Sequence, residues 1–276
     1  MATVTDALGT APLNVVTHPT ELCTTAFWDV INFGRGASPA GGGRRPAPLR
    51  PRAEFEAAVE ALRIYLRELV GLGFEFLTVT DLVRRYPDRA KGTMLSVHPL
   101  ARALRDGAAP LVGQGMSLSP AEVFAVLVEA VAAGNRPPAV AYRYLDGPAA
   151  GPEGARSGRV SPEALLTAAR WCRQYMSRTG CVPPAVPLPG GAADPASFLG
   201  ACAAALRGEE PALCEMVLPA AGRVRPVEEL HWDWPVFAPG FTAPGLRAAT
   251  LRQVWTWKPA VLWPGQWRPW TARAGG

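Results

Sequence analysis

Hydrophobic and polar positions alternate between two textures along this chain. Residues 12–18, "PLNVVTH", form an apolar run that predicts a buried strand ending at His18. Residues 19–52 carry no period and close in "GASPAGGGRRPAPLRPR", whose Gly, Pro and Arg content predicts an irregular loop. The stretch "AEFEAAVEALRIYLRELVGLG" then places Phe55, Ala58, Val59, Leu62, Tyr65, Leu66 and Leu69 at helical spacing on one stripe. Gly71 and Gly73 supply its stop. "FEFLTV", Phe74 to Val79, predicts a second strand, with Thr80 and Asp81 opening a short helix through Tyr86. Strand, helix and strand make a βαβ unit, for which parallel pairing by a right-handed crossover is the default. Two parallel strands leave both faces and both edges uncovered, so the unit calls for further strands from elsewhere.

The second texture begins near residue 116. In "MSLSPAEVFAVLVEAVAAGNRPPAV", Ser119 suits an N-cap, Pro120 the first helical position and Glu122 the first turn. Val123, Phe124, Leu127, Val128 and Val131 make the apolar face, and Gly134-Asn135 end it. The phrase returns as "RVSPEALLTAARWCRQYMSRTGCVPPAV" and, shortened, as "AADPASFLGACAAALRGEEPAL". Recurrence at roughly 30 to 45 residues predicts repeated helical units on a shared core. Seven of the nine Trp fall in the tail, at 232, 234, 255, 257, 263, 267 and 270. Trp beside Pro packs loops onto a core, and an exposed Trp offers a flat face to a sugar ring.

Composition narrows the classes. With 276 residues, 49% hydrophobic and 18% charged, the chain reads as a soluble globular protein. No apolar run approaches the roughly 20 residues of a bilayer span, and the N-terminal residues show no basic region followed by an apolar one. The net charge of +5 is scattered apart from Arg44 to Arg52, without the basic stripe interleaved with aromatics that nucleic acid requires. Five Cys, at 23, 172, 181, 202 and 214, form no C-x-x-C pair, which predicts reduced, mostly buried thiols and a cytoplasmic location. Neither nucleic acid nor membrane is an expected partner.

Two resemblances carry functional expectations. "LNVVTHPTEL", "FWDVINFGRGASP" and, after a helix, "GFEFLTVTDLVRRYPD" resemble the C-terminal part of a polysaccharide deacetylase (NodB-like) catalytic domain. The resemblance implies an incomplete distorted (β/α) barrel and hydrolysis of glycan N-acetyl amides at a divalent metal, usually zinc. It implies that His18 acts as the general acid for the departing amine, a task an imidazole near neutrality can perform. Glu21 and Asp29 would orient that ring, and Trp28, Asn32 and Arg35 would contact substrate; ordinary loop and turn chemistry accounts for the same residues. The family's "TFDD" and "HxxxH" motifs, which supply the metal ligands, do not occur here. His98 and His231 are not spaced as a ligand pair, so no metal is expected within this chain unless a second polypeptide completes the barrel.

Residues Ala168-Ala169-Arg170, Tyr175, Gly180 to Pro183 and Pro195 to Leu199 resemble a pseudomurein-binding type of repeat, which implies binding to a cell-wall glycopeptide polymer. The expected organisation is thus a deacetylase-like α/β segment over 1–95, a mainly helical repeat-like region over 96–230 and a Trp/Pro-rich tail over 231–276. Two functions follow: a deacetylase-like hydrolase inactive without its metal-binding half, or a non-catalytic glycan-binding or helical interaction module.

Overall fold

The computed structural model describes residues 18–34, 43–85, 88–104, 111–113, 116–216, 218, 236–238, 241, 244–258 and 271–272. The chain divides into two compact units, Met1–Arg85 with His231–Thr242, and Tyr86–Leu230 with Ala243–Gly276. It combines helices with small antiparallel sheets, a mixed α/β composition. Among the described residues no helix is long and apolar enough to cross a membrane.

In the first unit, α1 (Pro19–Cys23) and α2 (Trp28–Asn32) are single short turns. An antiparallel bridge between Thr24 and Leu49 ties them to the segment that enters α3 (Arg52–Gly71). Arg50 N–H donates to the Cys23 carbonyl at 2.9 Å, and Thr25 N–H to Pro48 at 3.0 Å. Most of the α3 stripe faces inward: Leu69 is buried, and Ala58, Val59, Leu62, Tyr65 and Leu66 are half-buried, while Phe55 is exposed. Helix α1 packs against α3. Gly73, at φ +84°, is the residue that stops the helix. There the Phe74 N–H turns back to the Leu69 carbonyl at 3.0 Å.

The strand expected over Phe74 to Val79 does not form. Residues 74–78 have no regular structure, and α4 runs from Val79 to Arg85. The cap is Thr78 rather than Thr80: its hydroxyl accepts the Asp81 N–H at 3.1 Å and donates to the Asp81 carboxylate at 2.6 Å. Alternating Phe74, Phe76 and Thr78 have the side-chain period of a strand, but backbone groups need a paired neighbour to make one. Of the first expected strand, 12–18, all but His18 lies outside the described residues, and the βαβ reading fails at its second strand.

The second unit opens with β1 (Met94–Ser96), which leads directly into α5 (Val97–Ala103). The strands β2 (Leu111–Gly113) and β3 (Met116–Leu118) form a hairpin, and α6 (Pro120–Ala132) follows at once. After α6 comes β4 (Ala139–Ala141), antiparallel to β1 with Leu95 opposite Val140. Then come β5 (Gly158–Arg159), α7 (Pro162–Thr179), the hairpin β6 (Val186–Leu188) and β7 (Gly191–Ala193), α8 (Pro195–Arg207) and β8 (Ala212–Leu213), with β5 paired to β8. Near the C-terminus, α9 (Pro244–Thr256) packs on α6, and β9 (Thr271–Ala272) adds a third strand beside β2.

The three recurrent phrases become α6, α7 and α8, each with Pro at its first turn behind a capping residue. Ser119 accepts from Glu122 N–H, Ser161 from Ala164 N–H, and Asp194 from Ala196 and Ser197 N–H. Helix α6 is the hub, packed by α5, α7, α8 and α9. Phe124 meets Phe198 of α8 and stands edge-on to Trp255 of α9, at 6.4 and 6.0 Å between centroids. Close approach depends on missing side chains. A β-carbon on Gly147 would lie 2.7 Å from that of Trp255 and 2.8 Å from the Arg252 Cα, so Gly147 is what lets α9 seat.

The thiols are only partly as expected: Cys172 and Cys202 are buried, Cys181 is half-buried, and Cys23 and Cys214 are exposed. A chain already closed by apolar packing has no need to sequester every small thiol. Burial pushes the Cys172 and Cys202 thiols well up, so both stay protonated.

Candidate functional site

The residues that the deacetylase resemblance implies for a site, His18, Glu21, Trp28, Asp29, Asn32 and Arg35, all fall in the first unit. His18 is exposed. It precedes α1 rather than ending a described strand, its N–H reaches Glu21 Oε2 at 3.3 Å, and its ring stands edge-on to Phe27 at 6.0 Å. The Glu21 carboxylate thus serves the helix start, while the Glu21 carbonyl accepts from Arg50 Nε at 3.2 Å. Trp28 is exposed, with the Arg44 guanidinium 5.4 Å over its ring and Phe33 edge-on at 5.9 Å. Asp29 accepts from Val30 N–H within its own first turn. Asn32 is buried and committed to structure. Its amide nitrogen donates to the carbonyls of Trp28 and Arg45, both at 2.8 Å, and its oxygen accepts the Arg45 N–H at 2.7 Å. Both amide donors of Asn32 are thus engaged in a backbone clamp. Arg35 lies outside the described residues, as does His231. Among the described residues, a strand leading to a His occurs at β1 and His98, an exposed residue at the start of α5.

A denser constellation lies in the second unit. Glu122, on α6, is 1% exposed, the most deeply buried acid among the described residues. Its Oε2 accepts the Ser119 N–H at 2.8 Å, completing a reciprocal cap, and its Oε1 lies 2.7 Å from the Tyr142 hydroxyl. The Lys258 ammonium, two residues beyond α9, sits 2.9 and 3.1 Å from the two Glu122 oxygens and 3.0 Å from Asp88 Oδ2. Asp88 also accepts the Ala90 N–H at 3.1 Å and lies 3.0 Å from the same Tyr142 hydroxyl. The Tyr142 ring passes 5.9 Å from the ammonium.

Electrostatics follow from this geometry. Burial raises the Asp88 carboxyl, but the hydrogen bond and charge of Lys258 outweigh it, and the pKa is lowered. Burial and the adjoining Glu122 carboxylate push the Tyr142 phenol well above its ordinary value, so it stays a donor. Nearby, Tyr144 is 61% exposed, and its hydroxyl donates to Asp146 Oδ1 at 2.8 Å, which pushes the phenol up to about 12. Asp146 is itself anchored to the end of α7 through Gly180 and Val182.

In the sequence Glu122 is legible only as a capping residue, and no local motif marks Asp88, Tyr142, Tyr144, Asp146 or Lys258. One signal was available: only two of the 28 basic residues are Lys, at 91 and 258. Among the described residues, no three of His, Cys, Asp and Glu converge as a metal site. Trp255 belongs to the core, and the five tail Trp at 232, 234, 263, 267 and 270 lie outside the described residues. No family model, no curated protein and no solved structure matches the chain.

Proposed function

We propose that this chain is a non-catalytic glycan-binding protein, in which residues 158–213, with the Tyr144–Asp146 segment that Gly180 and Val182 hold beside them, meet a cell-wall glycopeptide polymer. The observation that supports this reading is how that stretch closes on itself. Helix α7, the β6–β7 hairpin and α8 follow one another without interruption, and β5 and β8 pair to join the two ends. The order matches the helix, Gly-x-x-Pro turn and Phe-Leu helix on which the resemblance rests. Tyr144 supplies the contact chemistry: an exposed aromatic face for a sugar ring, with the Asp146 carboxylate beside it to accept from sugar hydroxyls. Co-sedimentation of the full chain with insoluble cell-wall glycopeptide polymer tests this. The wild type should pellet with the polymer and Tyr144→Ala should release it several-fold, with helical circular dichroism unchanged. A wild type that stays in the supernatant overturns the reading.

The deacetylase-like reading is retained for one reason. The His18 imidazole is exposed at the start of a helix, where it is free to meet a leaving amine once a second polypeptide brings metal-bearing carboxylates and imidazoles. In such a reconstituted complex, acetate release from an N-acetylated glycan should fall on His18→Ala. Equal rates in both proteins remove His18 from the chemistry.

A further inference from the structure

We propose that Asp88, Glu122 and Tyr142 form a recognition site for a primary ammonium group, and that Lys258 is its built-in occupant. An ammonium offers three N–H donors at tetrahedral angles and no acceptor. The site offers three carboxylate oxygens at 2.9, 3.0 and 3.1 Å from Nζ, with an aromatic ring at 5.9 Å.

Each acid of the cage also has partners other than Lys258. Glu122 is held by the Ser119 N–H and Tyr142, and Asp88 by the Ala90 N–H, all within residues 88–142. The ammonium comes from a separate stretch, carried past α9. Two carboxylates against one ammonium leave the cage one negative charge in excess. Its Asp88 side is open to water, with that side chain 40% exposed against 25% for Lys258.

The choice of Lys is itself informative in a chain that uses Arg at nearly every other basic position. A planar guanidinium matches a single carboxylate edge-on, whereas a compact ammonium bonds to oxygens converging from different directions. The chemical class of ligand follows: a protonated primary amine, carried by an amino sugar or by a lysine-type side chain. Acylation removes the charge and two of the donors, so the acylated forms are excluded. This inference does not rest on the glycan-binding reading and survives its failure.

The tethered Lys258 competes at high effective concentration in the wild type. The test is therefore the full chain with Lys258→Ala, titrated calorimetrically with ethylammonium, glucosamine, N-acetylglucosamine, Nα-acetyl-lysine amide and its ε-acetylated form. At least about a tenfold preference for the free amine over its acylated counterpart is expected, the scale set by charge-assisted hydrogen bonds. Adding Asp88→Asn should abolish the preference. Discrimination only between the sugars assigns an amino-sugar site, only between the lysines a peptide site, and in both pairs a site that reads the ammonium alone. A folded Lys258→Ala protein that binds none of them, or binds acylated and free forms alike, overturns the proposal. Should that variant not fold, hydrogen exchange of the wild type decides. High-millimolar ethylammonium should speed amide exchange over residues 249–258 beyond the effect of sodium at equal ionic strength, and no difference between the two salts overturns the proposal.

Discussion

Helices α3 and α6 both carry apolar residues at helical spacing, yet they end in opposite circumstances. Of the 20 residues of α3, one is buried; of the 13 of α6, eleven are. In α3 the charged residues pair along the helix itself, as Arg52 does with Glu56 at 2.8 Å, while Ile64 and Val70 remain exposed. Phe76, beyond its end, helps line a shallow apolar groove with Leu66 and Val70. In α6 the buried positions off the apolar face include Ala121, Ala125 and Ala130, small enough for neighbouring helices to approach closely there. The amphipathic period fixes which face turns inward; the size of the remaining residues fixes how many neighbours can be received.

The contrast can be broken most sharply at α6. Phe124→Ala removes a ring packed on Phe198 and Trp255 and should destabilise the second unit by about 3–5 kcal/mol, read as a lower denaturation midpoint in urea. Gly147→Ala should cost about 1–3 kcal/mol, because the new methyl group meets α9 backbone. Near-UV circular dichroism from Trp255 should weaken with it.

A smaller effect concerns pH. The lowered Asp88 pKa means its contribution is fully present above the unfolded carboxylate pKa, near ~3.9. That contribution is lost as pH falls through the lower folded value. Asp88→Asn should therefore leave a shallower acid limb in a plot of melting temperature against pH. At the far end, Phe76→Ser should change stability by no more than about 0.5 kcal/mol, as for an exposed position. A loss of several times that would show the side chain to be covered in solution.

Much of the helical content was legible because its signals are local. Ser119, Ser161 and Asp194, each followed by Pro, mark three helix starts within reach of a few residues, and all three form. The duplicated "PPAV" is more instructive. Val140 and Val186 both enter strands, but one pairs with β1, 45 residues upstream, and the other with the hairpin strand directly after it. Local sequence specified an extended conformation in both places and left the partner to the rest of the chain. The same limit governs "FEFLTV", which has the alternation of a strand and no ladder to join. The ammonium cage was illegible for a related reason: its members stand at 88, 122, 142 and 258, and only folding makes them neighbours.

The Asn32 clamp has a use of its own. Because that one amide fastens both the donor and the acceptor of Arg45, positions 32 and 45 are held as two fixed feet. Chain entropy charges only about 0.6 kcal/mol for each doubling of the chain length between two such feet. Inserting a peptide tag or a small foreign epitope between those feet should leave α1, α2 and α3 where they are, which makes this the natural attachment point for a reporter on the first unit.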